Sequence, residues 1–587
     1  MNEALAARHV PKRGTAAHNS DIAEIFYRLA ELLEIEGANP FRIRAYRRAA
    51  ATIEDLPQPA AAMLARGEDL SELPGVGEDL AAKIREICET GRLRALEEVE
   101  ARTPSALAKL TAVPGLGPKR VKVLHDVLGV RSVEDLARAA AAGRIRDLPR
   151  FGEAFEQRLL KELKAAPSAE PQRLRLSVAE EYATALTAFL RGLPGVGAAI
   201  AAGSFRRRRE TVGDLDILAT AEDGPAVAEA FAAHPEVAKV LAKGPTRVTV
   251  VLRNGLQVDL RVVEAGSYGA ALVYFTGSKD HNIALRKLGL ARGLKINEYG
   301  VFRGERRVAG ATEAEVYGSV GLPFIEPELR EDRGELAAAE GGRLPRLVTL
   351  ADIRGDLHVH TRASDGKSTL EEMVEAARAL GYAYIAISDH SKHATVAHGL
   401  DASRLAAQID EIDALNAQLH GFRVLKSCEV DILKSGKLDL PDWLLARLDV
   451  VTAGIHSDFD LGAEAQTARL LKAMDNPHVH ILAHPSGRLL GERPGYAVAL
   501  ETVIEGAKAR GCALEINAHP SRLDLDDVHA RAAKEAGVPV AIGSDAHSTI
   551  GLSNMRFGVD QARRGWLEAG DVLNTRGWPE LAKRLAR

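Results

Sequence analysis

Three cysteines in 587 residues, Cys88, Cys428 and Cys512, are too few and too scattered for a disulfide framework or a cysteine-rich zinc site, and they fit a reducing cytoplasm. No apolar run approaches the roughly 18 residues that a membrane span needs. The opening stretch, MNEALAARHVPKRG, has no signal-peptide core. Positive charge is not in excess either: 77 Lys and Arg stand against 81 Asp and Glu, a net charge of −4. This excludes a protein that coats nucleic acid by bulk charge, so any such footprint has to be a local patch. Hydrophobic content of 46% and charged content of 27% are ordinary for soluble globular chains, and the length implies three or four domains. Histidine is scarce in front and abundant behind: five of 18 precede residue 350 and thirteen follow it. The back half is thereby marked as a separate chemical module.

The front half is organised around GSFRRRRETVGDLD, Gly203 to Asp216. DLDILAT reads as a strand, in which residues two apart span about 6.5 Å and share a face. Asp214 and Asp216 can therefore reach a common pair of divalent ions. The Gly-Ser turn before them, with Arg206 and Arg207, offers backbone N–H groups, a hydroxyl and cations to a polyphosphate. Taken alone, D-x-D also fits a solvated edge strand. A third acid changes the balance: Asp259, in the alternating NGLQVDLRVV, can be delivered to the same face by a neighbouring strand. That set suits phosphoryl or nucleotidyl transfer.

Upstream, residues 1 to about 18 read as a tail, and an amphipathic helix begins at Asn19 with Ile22, Ile25, Phe26, Leu29, Leu32 and Leu33. Arg42, Arg44, Arg47 and Arg48 then gather on one short helix, a solvated face or a phosphate site. LPGVG (73–77) and VPGLG (113–117) each open an amphipathic helix, the helix-hairpin-helix pattern. Gly75, Gly77, Gly115 and Gly117 let the backbone approach a phosphate, the helix N-terminus presents free N–H groups, and basic residues such as Lys119 follow. Such contacts position DNA without reading its sequence. LPRFG (148–152) reads as a degenerate third copy. LPGVG at 193–197 is followed by AAIAAGSF and reads as a strand leading to the catalytic turn, not as a hairpin.

These segments, with YFTGSKDHNIALR (274–286) and LKINEYGVF (294–302), resemble the palm and thumb of family X DNA polymerases, the polymerase beta family. The resemblance implies that Asp214, Asp216 and Asp259 are catalytic ligands of Mg²⁺ or Mn²⁺. It places Gly203, Ser204, Arg207 and Gly213 at the triphosphate, Tyr274, Phe275 and Gly277 at the sugar, and Asn282 and Arg286 at the base pair and template. Gln257 departs from vertebrate-type relatives, which have an Arg there, so help from that Arg is absent. Lys83 matches the family's lyase lysine, and it equally fits a phosphate contact or a helix-surface charge.

In the back half nearly every expected strand ends in a metal-type ligand. GDLHVH gives His358 and His360 with Asp365 in the next turn, YAYIAISDH gives Asp389 and His390, and FRVLKSCEVDI gives Glu429. His456, His484, Asp545 and His547 follow at later strand ends. Apolar strands alternating with helices imply a parallel barrel whose C-terminal strand ends converge on one rim. Imidazoles and carboxylates without thiolates suit Zn²⁺, Mn²⁺ or Fe²⁺. The motifs HVHTRASDG, ISDHS, CEVDI, IHSD, AHPSGR and SDAH resemble the polymerase and histidinol phosphatase (PHP) domain, a distorted seven-stranded barrel with up to three metals. The resemblance assigns His358, His360, Glu429 and Asp545 to one metal, Glu429, His456 and His484 to a second, and Asp365, His390 and His547 to a third. Asp365 stands where the family often has His, which favours a harder metal. Arg488 is a further candidate to hold phosphate oxygens, and His393, His398 and His519 are structural or substrate-facing.

The expected fold is multidomain: a lyase-like helical region at 1–90 and fingers at 91–172, both with helix-hairpin-helix motifs; an α+β nucleotidyltransferase palm at 173–270 and thumb at 271–325; a join at 326–349; and a distorted (βα)7 PHP barrel at 350–587. Together the resemblances imply a cytoplasmic, nucleoid-associated, monomeric DNA polymerase without membrane attachment. It would fill short gaps in gapped or nicked DNA from dNTPs, in base excision or end repair. The barrel would act as 3′-5′ exonuclease, 3′-end processing phosphoesterase or AP endonuclease. The alternatives are a DNA-end binding repair scaffold and a template-independent nucleotidyltransferase in which one of the two sites is structural only.

Overall fold

The computed structural model describes residues 17–586 apart from 55, 57, 74, 112, 114, 150 and 166–172. Most of the expected tail, Pro74 and Pro114 of the two hairpin motifs, Arg150 of LPRFG and the boundary at 172 thus lie outside the described residues. The chain forms two compact units.

The first is the helical front part with Ala233–Lys239 and Val251–Leu256. Helix α1 (Asn19–Glu36) buries Ile22, Ile25, Phe26, Leu29, Leu32 and Leu33, the stripe that its apolar spacing predicts, and packs on α2 (Pro40–Glu54). The α2 arginines 42, 44, 47 and 48 are all exposed. Each hairpin Gly-x-Gly bends through a glycine with positive φ, +74° at Gly75 and +83° at Gly115, where L side chains are strained. Gly77 and Gly117 then cap α3 (Glu78–Thr90) and α4 (Pro118–Leu128), while Val76 and Leu116 are buried as anchors. Gly75 also leaves room for Arg48, whose Cδ would lie 2.5 Å from an added Cβ.

The second unit holds Arg173–Ala232, Val240–Val250 and Gln257–Arg587. After α5 (Leu176–Arg191), a five-stranded sheet is built from β1 (Val196–Ala201), β2 (Asp214–Ala221), β3 (Val237–Lys243), β4 (Arg247–Leu252) and β5 (Gln257–Val263), in the order β1-β2-β5-β4-β3, with the start of β3 and the end of β4 counted in the first unit. LPGVG at 193–197 therefore runs into a strand. Strands β2 and β5 pair in parallel with Asp216 directly opposite Asp259. Helices α6 (Tyr268–Thr276) and α7 (Lys279–Ala291) follow, and a three-stranded antiparallel sheet completes this part.

The stretch 326–349, read as a join, is itself built into the structure. Leu329, Ala339 and Leu347 share a core with Val273, Leu285, Val301 and Tyr317. Two of its charges are buried in pairs: Glu335 accepts from the His281 ring, and Arg330, fully buried, donates to Glu313 and to the Ile325 carbonyl while stacking on Tyr317 and Phe324. Composition pointed to a linker because charge and glycine are frequent in both settings.

The back half is a seven-stranded parallel sheet in chain order: β6 (Gly355–Val359), β7 (Tyr384–Ile387), β8 (Arg423–Asp431), β9 (Val450–Gly454), β10 (Ile481–Leu482), β11 (Ala513–Asn517) and β12 (Val540–Gly543). Strands buried on both faces read as continuous apolar runs, as here. The ends meet: the Asp545 N–H donates to the His358 carbonyl at 3.0 Å, and the His360 N–H to the Ala546 carbonyl at 2.8 Å. The sheet thereby closes into a barrel.

Within this unit ion pairs tie the front sheet region to the barrel helix α8 (Met555–Arg564). Arg208 pairs with Asp560 at 2.6 Å and with Glu180 at 3.1 Å, and Arg556 also pairs with Glu180. Arg564, almost wholly buried, donates to the Arg207 carbonyl, Glu331 and Asp527 at 2.6–2.9 Å.

Arg330→Ala leaves Glu313 with Arg206 but takes both donors from the Ile325 carbonyl. It should therefore cost about 1–3 kcal/mol, read as a lower midpoint in urea or thermal unfolding. An unchanged midpoint would show that the buried Arg330 contacts contribute nothing.

Candidate active sites

At the front sheet, the register fixes three carboxylates. Asp214 and Asp216 lie two apart on β2, and Asp259 sits beside Asp216 on β5. Each oxygen of Asp259 has a partner: Oδ1 accepts from Thr249 Oγ1 at 2.5 Å and Oδ2 from Gln257 Nε2 at 2.8 Å. Arg247 Nη2 of β4 stands 3.7 Å from Oδ1. The support expected to be missing at Gln257 is thus supplied by the glutamine amide and by a cation from the next strand. Gly203 has φ +61°, and a Cβ there would meet Asp216 Oδ2 at 2.5 Å, so a side chain at this turn would displace the carboxylate. Burial, then the charges of Asp214 and Asp259, push the Asp216 carboxyl up to about 7. Crowded carboxylates that resist ionisation are what a divalent cation would relieve.

Other expected nucleotide contacts gather around this turn to different degrees. Arg206 forks onto Glu313 at 2.7–2.8 Å. Arg207 is buried, with Nε on Glu331 and Nη1 on the Thr276 carbonyl, so holding a phosphate requires those bonds to open. Ser204 follows Gly203 in a single helical turn, and Gly213 lies against Arg173. Tyr274 and Phe275 end α6 edge to face, Gly277 follows with φ +68°, and Asn282 donates to the Tyr274 carbonyl. Arg286 is exposed on α7. In the front unit Lys119 is exposed, and Lys83 is paired with Asp79 at 2.5 Å, one turn back on the same helix.

The barrel's C-terminal strand ends surround a cavity of about 440 Å³. Glu429 is its centre: Oε1 lies 2.7 Å from His484 Nε2 and 3.1 Å from His456 Nε2, while Oε2 lies 2.9 Å from His390 Nδ1, 3.4 Å from His358 Nε2 and 3.7 Å from His360 Nε2. Asp545 Oδ1 is 3.2 Å from His360 Nε2 and 3.7 Å from His358 Nε2. Asp365 Oδ2 is 3.4 Å from His547 Nε2 and 3.7 Å from His390 Nε2. Compact donor groups are His358, His360 and Asp545; His390, Glu429 and His456; and His360, Asp365, His390 and His547. His390 thus faces two groups with its two nitrogens, a sharing that strand-end spacing does not reveal.

His358 Nε2, His360 Nε2, His390 Nδ1 and His456 Nε2 are buried without a hydrogen-bond partner. Buried ring nitrogens left unpaired in a cavity lined by carboxylates fit divalent cations. In His358 and His456 the other nitrogen is held from behind, which fixes the tautomer for ligation. His358 Nδ1 is 2.6 Å from Glu515 Oε1, and His456 Nδ1 is 3.1 Å from Asp431 Oδ1. Burial alone would raise the Glu429 carboxyl, but His390, His456 and His358 outweigh it and hold it well below the usual range. Asp545 is held down in the same way, against its burial, by His358, His360 and His547. His360 is lowered to about 4 by burial and by His547, His390 and His358 around it.

Two sequence readings need correction. Asp389 ends its strand but serves the scaffold, accepting from Thr361, Ser364 and Gln408. Arg488 does not reach the cavity, because its guanidinium is spent on Glu210 and on the Arg522 and Leu523 carbonyls. His393 lines the cavity, whereas His398 and His519 do not. Glu515, Asp431 and Arg522 escaped sequence reading; only Asp431, two residues from Glu429 in CEVDI, had a local signal.

At the sheet site a cation must displace a proton. Below about 7 Asp216 is protonated, so Mg²⁺ affinity should rise with pH by about ten-fold per unit and level off above. Calorimetry on the wild type, taking the component lost in Asp216→Asn, reads this directly. A pH-independent affinity would contradict the shared charge at Asp214, Asp216 and Asp259.

Residues 17–93 match the helix-hairpin-helix domain and 107–165 the SAM-like helix-hairpin-helix tandem, which spans both VPGLG and LPRFG. Residues 271–331 match the DNA polymerase beta thumb and 356–519 the PHP domain. The chain is 30% identical across 229 residues to a probable phosphatase of Syntrophotalea carbinolica, covering 37% of this chain and 90% of that one. A probable phosphatase of Acetivibrio thermocellus is 32% identical over 204 residues, 33% of this chain and 78% of its own. The DNA polymerase/3′-5′ exonuclease PolX of Bacillus subtilis is 39% identical over 574 residues, 97% of this chain and 100% of that protein. With hairpins, sheet, thumb and barrel in one order along that length, the chain belongs to the PolX family, family X polymerases that carry a C-terminal PHP domain.

Proposed function

We propose that this protein is a template-directed DNA polymerase that fills short gaps in repair, and that its barrel trims or unblocks 3′ ends as a phosphoesterase, acting as 3′-5′ exonuclease or AP endonuclease. The observation that carries the reading is the presence in one chain of two complete acid-lined donor sets, the three sheet aspartates and the histidine-rich barrel rim. The full-length similarity to PolX supports it. The substrates are gapped or nicked DNA and dNTPs, and the helix-hairpin-helix glycines 75, 77, 115 and 117 with Lys119 would hold the DNA backbone. The proposed division is lyase-like region, fingers, palm, thumb, join and barrel, with the boundaries given above.

In synthesis, the primer 3′-oxygen gives up its proton to solvent water and bonds to the α-phosphorus as the bond to the pyrophosphate oxygen breaks. Asp214, Asp216 and Asp259 would hold Mg²⁺ or Mn²⁺, whose charge, when bound, neutralises the attacking and leaving oxygens. Gly203, Ser204 and Gly213 would seat the triphosphate, with Arg207 joining once its bond to Glu331 opens. Tyr274, Phe275 and Gly277 would face the sugar, and Asn282 and Arg286 the nascent pair and template. Thr249 and Gln257 keep Asp259 aimed by using one lone pair on each oxygen.

In the barrel, a water oxygen bonds to phosphorus, the ester P–O bond breaks, and the departing oxygen takes a proton. His358, His360, Asp365, His390, Glu429, His456, His484, Asp545 and His547 would hold up to three Mn²⁺, Zn²⁺ or Fe²⁺ ions. Glu515 and Asp431 orient His358 and His456 for that purpose.

The two chemistries use separate residues, so they should separate by mutation. On a gapped, end-labelled duplex with Mn²⁺, Asp214→Ala and Asp259→Ala should each abolish extension and leave 3′-end degradation intact. Loss of both activities from either change would refute the division, and extension without a template strand would favour the template-independent alternative.

A further inference from the structure

A phosphoester carries negative charge, and the barrel cavity is lined mainly by histidines and acids, with a neutral wall at 394–397. Among the described residues Arg522 is the one Lys or Arg in that lining. Its Nε stands 3.4 Å from Asp545 Oδ2, the edge of the carboxylate turned away from His358 and His360, which face Oδ1. The guanidinium therefore borders the donor groups without joining them. Its side chain is 23% exposed, so an entering substrate can reach it. A planar guanidinium presents paired N–H donors that match two non-bridging phosphate oxygens.

The loop that presents Arg522 is held from a distant part of the chain. The Arg522 carbonyl accepts from Arg488 Nε at 3.1 Å and the Leu523 carbonyl from Arg488 Nη2. Leu523 has φ +44°, a left-handed conformation that a leucine adopts only when its surroundings impose it. Arg488 is itself fixed by a bidentate pair with Glu210, at 2.7 and 3.2 Å. Glu210 lies four residues before Asp214, in the stretch that leads into the sheet site. The Ser486 and Gly487 N–H groups donate to Asp524 and lock the two barrel loops together.

We propose that Arg522 grips the non-bridging oxygens of the phosphoester in the barrel, and that Glu210, acting through Arg488, is a positioning residue for it. The proposal rests on the nuclease reading above. It makes a residue of the polymerase half part of the machinery that shapes the barrel's substrate site.

The test uses the full-length protein with Mn²⁺, the p-nitrophenyl ester of thymidine 5′-monophosphate as substrate and thymidine 5′-monophosphate as inhibitor. Arg522→Gln should raise KM and the inhibition constant together by about ten-fold, the size of one lost charge-assisted contact, with manganese content unchanged. Arg522→Lys should recover part of this loss. Glu210→Gln should weaken both constants by about three-fold in the wild type and have no further effect in Arg522→Gln. Unchanged constants in Arg522→Gln, or loss of bound manganese from it, would overturn the role of Arg522. Independent, additive effects would overturn that of Glu210. A wild type that hydrolyses neither the ester nor DNA 3′ ends would instead defeat the nuclease reading. Calorimetry of thymidine 5′-monophosphate binding to the manganese-loaded variants would still decide whether Arg522 holds phosphate.

Discussion

Compensation of buried carboxylates governs both halves of the second unit. Glu429 is buried in the barrel with five histidine nitrogens within 3.7 Å of its oxygens. An isolated carboxylate in such a place would be protonated or would unfold its surroundings, because burial of an unpaired charge costs far more than a domain can spare. The barrel meets the constraint by converging ring nitrogens from several strand ends, and parallel topology makes that convergence possible. Closure between β6 and β12 brings residues from the two ends of the module together, so His358 and Asp545 become neighbours.

The sheet site meets the same constraint differently. Its aspartates have few cations close by; Arg247 is 3.7 Å from Asp259, and Asp216 is left holding a raised carboxyl. The crowding follows from a backbone register, Asp216 opposite Asp259, which no side-chain adjustment can relax. Such a site is poised for dications. The surrounding arginines are largely spent on structure: Arg206 on Glu313, Arg207 on Glu331, and Arg208 on Asp560 and Glu180. This arginine-rich turn also fastens the sheet region to barrel helix α8, so one short segment serves the chemistry and the architecture together.

Much of this was legible in the sequence because it rests on local periodicity. Alternation gave the strands that carry Asp214, Asp216 and Asp259, Pro-Gly-x-Gly gave the helix starts at Glu78 and Pro118, and apolar runs ending in His or Asp gave the barrel. What stayed hidden depends on contacts between distant segments. Glu515 meets His358 across 157 positions, and Arg488 meets Glu210 across 278. Arg488 looked like a phosphate ligand because it follows His484 closely, and only the fold reveals that its donors are already used. The charged stretch at 326–349 looked like a linker because burial of Arg330 and Glu335 depends on partners, Glu313 and His281, that sequence alone does not bring near.

Two separate acid-lined centres in this chain should each take divalent cations, which anomalous diffraction from crystals soaked in manganese can read. Peaks are expected beside Asp214, Asp216 and Asp259 and among the histidines around Glu429, with the barrel peaks lost in a Glu429→Ala crystal. Absence of anomalous signal at both places would contradict it.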